Sequence, residues 1–273
     1  MRQIILPASA LRVSRFAFGT ASLFNVGGAK RRGDLLAAAY DNGFSHFDTA
    51  PSYGFGVAER DLSALLRAHP DVTVATKVGL YSPGGEAQPA ALVLARKAAG
   101  KLFPVLSRTS LDWSVARARQ SLSDSLKRLG RERVDLFLLH EPDATLIETE
   151  EWLRWLESER DRVANFGIAV DARRLGGFLG PASPLAPIVQ TIDSLNGREA
   201  DALVRRGRPL QITYGYVRAA TRDGTADVPA ILEAALRRNR SGCVVVSTGK
   251  RERLRQYARI VEAADKSPLD GAS

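Results

Sequence analysis

Eight short apolar segments, each followed by a longer stretch with helical spacing, constrain the fold of this 273-residue chain more than any other feature. After a hairpin expected over residues 3 to 14, the pairs run in order along the sequence. "FAFGT" precedes "RRGDLLAAAYDNG", "SHFDTA" precedes "GVAERDLSALLRAH", and "VTVATKV" precedes, after a long insertion, "SVARARQSLSDSLKRLG". "VDLFLLH" leads to "TLIETEEWLRWLESERD", "ANFGIAV" to "DARRLGGFLG", and "PIVQTI" to "GREADALVRRG". "LQITYG" with "VPAILEAALRRNR" and "CVVVST" with "KRERLRQYARIVEAA" complete the series. Strands that alternate with helices pair in parallel, because each helix returns the chain to the starting edge of the sheet. Eight such units close a TIM barrel. The expected fold is α/β: a single (β/α)8 barrel domain over residues 1 to 273, with an N-terminal hairpin and a long insertion after the third strand.

An open doubly wound sheet is the competing fold. Such sheets that bind dinucleotides carry G-x-G-x-x-G after a strand; the nearest match, "GFGVAE", has Glu59 where the third Gly belongs, and no P-loop is present. The insertion, residues 79 to 113, far exceeds the roughly 2 to 6 residues usual for such a connection. It is expected either to cover a site at the barrel mouth or to be a surface ornament.

Composition sets the class: 45% hydrophobic and 25% charged residues describe an ordinary globular protein. No window approaches the roughly 18 uninterrupted apolar residues of a membrane span. Pro7 and Arg12 interrupt the apolar start and no cleavage-like pattern follows, so a cytoplasmic location is expected. The one cysteine, Cys243, lies in the apolar run "CVVVS", which leaves no internal disulfide and suits a buried, inert thiol. A formal charge of +9 can steer anionic partners such as phosphorylated cofactors. No basic run is interleaved with aromatics, so neither nucleic acid nor membrane is an expected partner. The oligomeric state is not legible.

In such barrels reacting groups lie at the C-terminal ends of the strands. Strand two ends with Asp48 and Tyr53 follows in its loop, strand three carries Lys77, and strand four ends with His140. An ammonium beside a phenol favours the phenolate, so Lys77 is expected to lower the pKa of Tyr53. Asp48 would hold Lys77 charged. Neutral His140 could orient a carbonyl while Tyr53 delivers or removes a proton. Singly, each has a plainer use: Asp48 as a turn or capping residue, Tyr53 as a surface aromatic, Lys77 as a snorkelling side chain, His140 as a structural histidine. A metal-dependent hydrolase is a further alternative, since His46 and Asp48 share a strand face and His140 lies two strands on. The usual three or four convergent ligands are hard to assemble from three histidines, one of them His69 in the exposed-looking "RAHPD". No metal site is assigned.

"HFDTAPSYGFGVAE", "VATKV", "SLSDSLKRLGRERVDLFLLHEPD" and "VQTIDSLN" resemble the aldo-keto reductases, barrel enzymes that interconvert carbonyls and alcohols with a nicotinamide cofactor. The resemblance runs from about Phe16 to about Glu262. "FGTASLFN" and "FDTAPSYGFGVAE" are most similar to its bacterial aldose and pyridoxal dehydrogenase branch. By this resemblance Tyr53 is the general acid/base, His140 orients the carbonyl, and Asp48 with Lys77 tunes Tyr53. The implied cofactor is NADPH, with NADH as the other candidate. Thr20, Gln190, Tyr214, Ser247, Thr248, Lys250 and Arg253 fall at cofactor-binding positions: Gln190 on the carboxamide, Tyr214 stacked on the nicotinamide, and the last four on the adenosine phosphate.

Two departures stand out. Where the family has Ser and Asn after strand five, "GIAV" supplies Ala169 and Val170; "YGYV" replaces a Tyr-Ser-Pro-Leu loop. Both imply weaker cofactor contacts, and they motivate an alternative in which the barrel binds a cofactor or regulates without efficient catalysis. The implied substrate is a small carbonyl compound or a sugar in an open pocket lined by Phe24, Tyr81 and Trp113, with Phe103 above and only a short tail, "KSPLDGAS", beyond the last helix.

Overall fold

The computed structural model describes residues 1–100, 108–180, 183–221 and 227–266. Its hairpin pairs β1 (Gln3–Ile5) with β2 (Arg12–Ser14) in antiparallel register. Three parallel strands follow: β3 (Phe16–Gly19), β4 (His46–Asp48) and β5 (Thr73–Val78). The insertion forms a short ribbon, β6 (Leu80–Tyr81) against β7 (Ser110–Leu111), and a helix, Ala90–Gly100. Five more strands, β8 (Leu136–His140), β9 (Phe166–Val170), β10 (Ile188–Ile192), β11 (Ile212–Tyr214) and β12 (Cys243–Val246), complete a closed parallel barrel in which β12 pairs with β3.

Alternation along each strand divides the core in two. Ala17, Ala75, Leu136, Leu138, Ala169, Ile188, Ile212 and Cys243 point inward and meet Leu6, Leu11 and Val13 of the hairpin, which plugs the N-terminal end of the barrel. Gln211 Nε2 ties the plug down by donating to Pro7 O at 2.7 Å. Phe16, Phe18, Phe47, Val74, Phe137, Ile168, Val189 and Val244 point outward and form a single apolar layer with the surrounding helices. Helices Val57–Ala68, Val115–Leu129, Val228–Arg238 and Arg251–Lys266 lie close to the expected spans. After β9 and β10 the helical stretches are shorter than "DARRLGGFLG" and "GREADALVRRG" suggested, only Ala172–Leu175 and Asp201–Val204. Gly176 and Gly177 follow the first, and glycine is a poor residue with which to extend a helix. One unexpected helix, Tyr216–Ala220, follows β11. Among the described residues no helix is long and apolar enough to cross a membrane.

Candidate active site

Each inward position at the C-terminal end of a strand lies two residues beyond an inward core residue: Asp48 after His46, Lys77 after Ala75, His140 after Leu138, Gln190 after Ile188, Tyr214 after Ile212. Period-two geometry therefore gathers all five at one mouth, although up to 166 residues separate them in sequence, from Asp48 to Tyr214. They line a cavity of about 480 Å³ together with Tyr53, Glu141, Ala169, Ser247 and Arg253.

Lys77 and Asp48 form its buried base. Lys77 Nζ donates to Asp48 Oδ1 at 2.7 Å, to Oδ2 at 2.8 Å and to Thr49 O at 2.9 Å. Both side chains are almost fully buried. Burial opposes the Lys77 charge, but Asp48 and then Tyr53 outweigh it, so its pKa lies above the ordinary lysine value. Three acceptors offset the heavy cost of an interior cation. Across the barrel, Gln190 Nε2 donates to the same Asp48 Oδ1 at 2.9 Å. Thr20 acts from behind: its Oγ1 donates to Asp48 O at 3.0 Å, bracing the strand end without lining the cavity.

Tyr53 hangs over this pair. Its ring centroid is 4.9 Å from Lys77 Nζ and 6.0 Å from the His140 ring, which it meets nearly edge-on at 83°. Lys77 pulls the phenol pKa down, as its charge requires, but burial is the larger influence and the net shift is upward. The expected net lowering is thus corrected: enclosure outweighs one ammonium, and Tyr53 is a protonated phenol at neutral pH. Burial, aided by Lys77, holds His140 down to about 3, so its imidazole is neutral and keeps one N–H to donate.

The backbone that presents Tyr53 is demanding. Gly54, Phe55 and Gly56 are consecutive left-handed residues, with φ of 59°, 58° and 80°. A Cβ on Gly56 would meet Glu86 O at 2.1 Å, so the insertion packs directly on the turn into helix Val57–Ala68. Phe55 in turn packs on Val57 of that helix and on Val93 of the insertion helix.

Other expected site residues lie elsewhere. Tyr81 is in the outer core under the Arg117 guanidinium, 4.3 Å from its ring, and outside the cavity. Trp113 is also outside: its Nε1 donates to His140 O at 3.2 Å, and its indole covers Gly79, where no Cβ would fit. It braces the strand end that carries His140. Phe24 covers Gly54 beside Tyr53 without lining the cavity. Phe103 lies outside the described residues, as does the tail beyond residue 266. Ser247 and Arg253 reach the cavity, but Lys250 and Thr248 do not, because Thr248 Oγ1 turns inward to accept Lys250 N at 3.1 Å. Ala169 lines the wall with only a methyl, and Val170 points into the outer core.

Sequence reasoning passed over Glu141 and Arg218, both cavity residues. The signal for Glu141 was its place directly after His140 in "LLHEPD"; for Arg218 it was the charged residue in "YGYVRAA". His46, which the metal alternative invoked, is buried, its pKa held down to about 4 by burial, with Nδ1 2.8 Å from Thr73 Oγ1. Among the described residues no cluster of three His, Cys, Asp or Glu is placed to hold a metal.

Comparison with known proteins agrees with this geometry. D-threo-aldose 1-dehydrogenase of a Pseudomonas species is 33% identical over 144 residues, 50% of this chain and 42% of that protein. Pyridoxal 4-dehydrogenase of Microbacterium luteolum is 32% identical over 143 residues, again 50% and 42%. The matched segment thus spans about two fifths of these relatives' length. Two solved structures share the fold: an aldo-keto reductase from Bacillus halodurans in its holo form (TM-score 0.72, 18% identity, 98% of this chain and 92% of that one) and one from Klebsiella pneumoniae in complex with NADPH (0.67, 18%, 96% and 90%). A glycerol dehydrogenase from Gluconobacter oxydans does so at 0.70, with 19% identity over 99% and 98%. The profile of the Aldo/keto reductase family matches residues 15–175, the stretch that supplies Asp48, Tyr53, Lys77 and His140, and the chain belongs to that family.

Proposed function

We propose that the protein is a nicotinamide-dependent oxidoreductase that interconverts a small carbonyl compound, or a sugar, and the corresponding alcohol. The observation that carries this reading is the placement of the Tyr53 ring 4.9 Å from the Lys77 ammonium and edge-on to neutral His140, on the lining of a cavity of about 480 Å³.

The residues suit such a cofactor. Among the described residues Gln190 Oε1 is buried with no partner, an acceptor of the kind an amide N–H2 would satisfy. Tyr214 offers an aromatic face, and Arg218 and Arg253 give the far end of the cavity positive charge suited to phosphates. When bound, the cofactor supplies or accepts the hydride. The chain's own groups do the rest. His140 donates an N–H to the carbonyl oxygen and fixes its direction. In reduction the C=O carbon gains the hydride, Tyr53 Oη gives its proton to the oxygen, and Lys77 stabilises the phenolate that remains. In oxidation the same proton returns to Tyr53. Because burial favours the neutral phenol, Lys77 is what keeps the phenolate accessible.

Support for a sugar or other hydroxylated substrate comes from the charged Glu141, Arg218 and Arg253 on the cavity lining and from the dehydrogenases of aldose and pyridoxal among the similar proteins. A preference for NADPH over NADH is assigned in this reading to Arg253, which lines the cavity, rather than to Lys250, which does not.

The test is a fluorescence titration of the purified protein with NADPH and NADH, coupled to turnover on a panel of hydroxylated and apolar aldehydes. Binding with turnover, and hydroxylated aldehydes at least equal to apolar ones, is expected. Binding without turnover would instead favour a cofactor-binding regulatory barrel, and absence of binding would refute both.

A further inference from the structure

The proton and hydride steps leave one charged group of the cavity without a task. Glu141 follows His140 directly and lines the same mouth, where its main-chain φ is 48°, a left-handed conformation that a Glu adopts only when its surroundings impose it. The imposing contacts are visible. Glu141 N donates to Ala169 O at 2.7 Å, Asp171 N donates to Glu141 Oε2 at 3.1 Å, and Arg174 Nη1 donates to Glu141 O. Together they turn the carboxylate back over the end of β9, above the methyl of Ala169. Among the described residues it forms no ion pair: burial pushes its carboxyl pKa up, Arg174 and Arg173 pull it down, and Arg173 closes on Asp171 at 2.7 Å.

Charge along the cavity is therefore divided. Asp48 and Lys77 cancel each other, and His140 is neutral. Among the charged residues that line the cavity this leaves Glu141 at the chemistry end, with Arg174 and Arg173 acting on it from outside the lining, and Arg218 and Arg253 at the far end. After burial, the charge of Glu141 is the largest influence raising the Tyr214 phenol pKa, and it acts on Tyr53 as well, so its field reaches the groups that would flank a nicotinamide.

A nicotinamide is neutral when reduced and carries a positive ring charge when oxidised. Resting on the proposed reading of the cavity as a cofactor site, we infer that Glu141 is a specificity residue for cofactor oxidation state: its carboxylate selectively stabilises the oxidised, cationic form in its complex with the protein. Phosphate binding at the far end does not differ between the two forms, so Glu141 separates them where Arg218 and Arg253 cannot.

The experiment measures dissociation constants of NADP⁺ and NADPH, and of NAD⁺ and NADH, for the wild type and Glu141→Gln, by calorimetry and nicotinamide fluorescence. Gln keeps an oxygen for Asp171 N, and retained affinity for the reduced form reports an intact site. The ratio Kd(oxidised)/Kd(reduced) is expected to rise about tenfold in Glu141→Gln, the scale of one unit charge acting at several ångströms in a partly wet site, with the reduced-form Kd within about twofold of wild type. Binding of both forms with an unchanged ratio would overturn the role of Glu141 alone. Failure of the wild type to bind either form would overturn the cofactor reading and this inference with it.

Discussion

Gln190 and Asp48, 142 residues apart in sequence, are joined across the barrel mouth by a 2.9 Å hydrogen bond from Nε2 to Oδ1. The bond commits the amide nitrogen to the buried ion pair, while among the described residues the amide oxygen has no partner and the side chain lines the cavity. One side chain thus reports the position of the Asp48–Lys77 pair to the bound ligand. Gln190→Leu should weaken nicotinamide cofactor binding about tenfold, the scale of one lost hydrogen bond with its partner left dry. Fluorescence titration checks this, and unchanged affinity would remove Gln190 from the cofactor site.

Lys77→Met removes the cation and leaves the Asp48 carboxylate buried without its main partner. Breaking such a pair costs about 3 to 5 kcal/mol. A urea melt should show that loss, and the double variant Asp48→Asn/Lys77→Met should recover much of it, since no uncompensated charge then remains. If the single variant melted like wild type, the pair would not be the buried, interdependent unit that its 2.7 Å contact describes.

Gly56→Ala should be costly despite adding one methyl. The residue has φ of 80°, and the new Cβ would press on Glu86 O. Left-handed strain and overpacking against backbone together amount to about 2 to 4 kcal/mol. Because Tyr53 lies three residues earlier, kcat should fall as well.

Stability should fall on acidification through the buried histidine His46. Its folded pKa of about 4 lies below the ordinary 6.5, so between those values the unfolded chain binds a proton that the folded chain refuses. Folding stability is full above about pH 6.5 and declines as the pH drops toward 4, by about 3 kcal/mol from this group. Chemical melts across that window measure the slope, which His46→Gln should make shallower.

Much of the barrel was legible in the sequence because its signals are periodic. Alternation of apolar strand and amphipathic helix sets the count of eight, and a period of two places Asp48, Lys77, His140, Gln190 and Tyr214 on the interior once the strands are found. Where no period operates, the reading failed. Tyr81 and Trp113 belong to an insertion whose path depends on its own ribbon and on Gly79, so their turn away from the cavity had no local signature. Thr248 and Lys250 were misplaced by the tight turn after β12, in which one caps the other. Glu141 was invisible because only its left-handed φ, imposed by Ala169, Asp171 and Arg174 from a later part of the chain, aims it at the mouth. The sign of the Tyr53 pKa shift was misjudged because sequence shows the neighbouring cation but not the depth of burial.

The central claim is that the phenol of Tyr53 carries the proton between substrate and protein while the cofactor site stands independently of it. Kinetics and cofactor titration of Tyr53→Phe test it most directly. A drop in kcat of at least about a hundredfold, the usual worth of a positioned acid/base group, with cofactor affinity within about twofold of wild type is the predicted result. Turnover that survives the loss of that single oxygen would contradict the account.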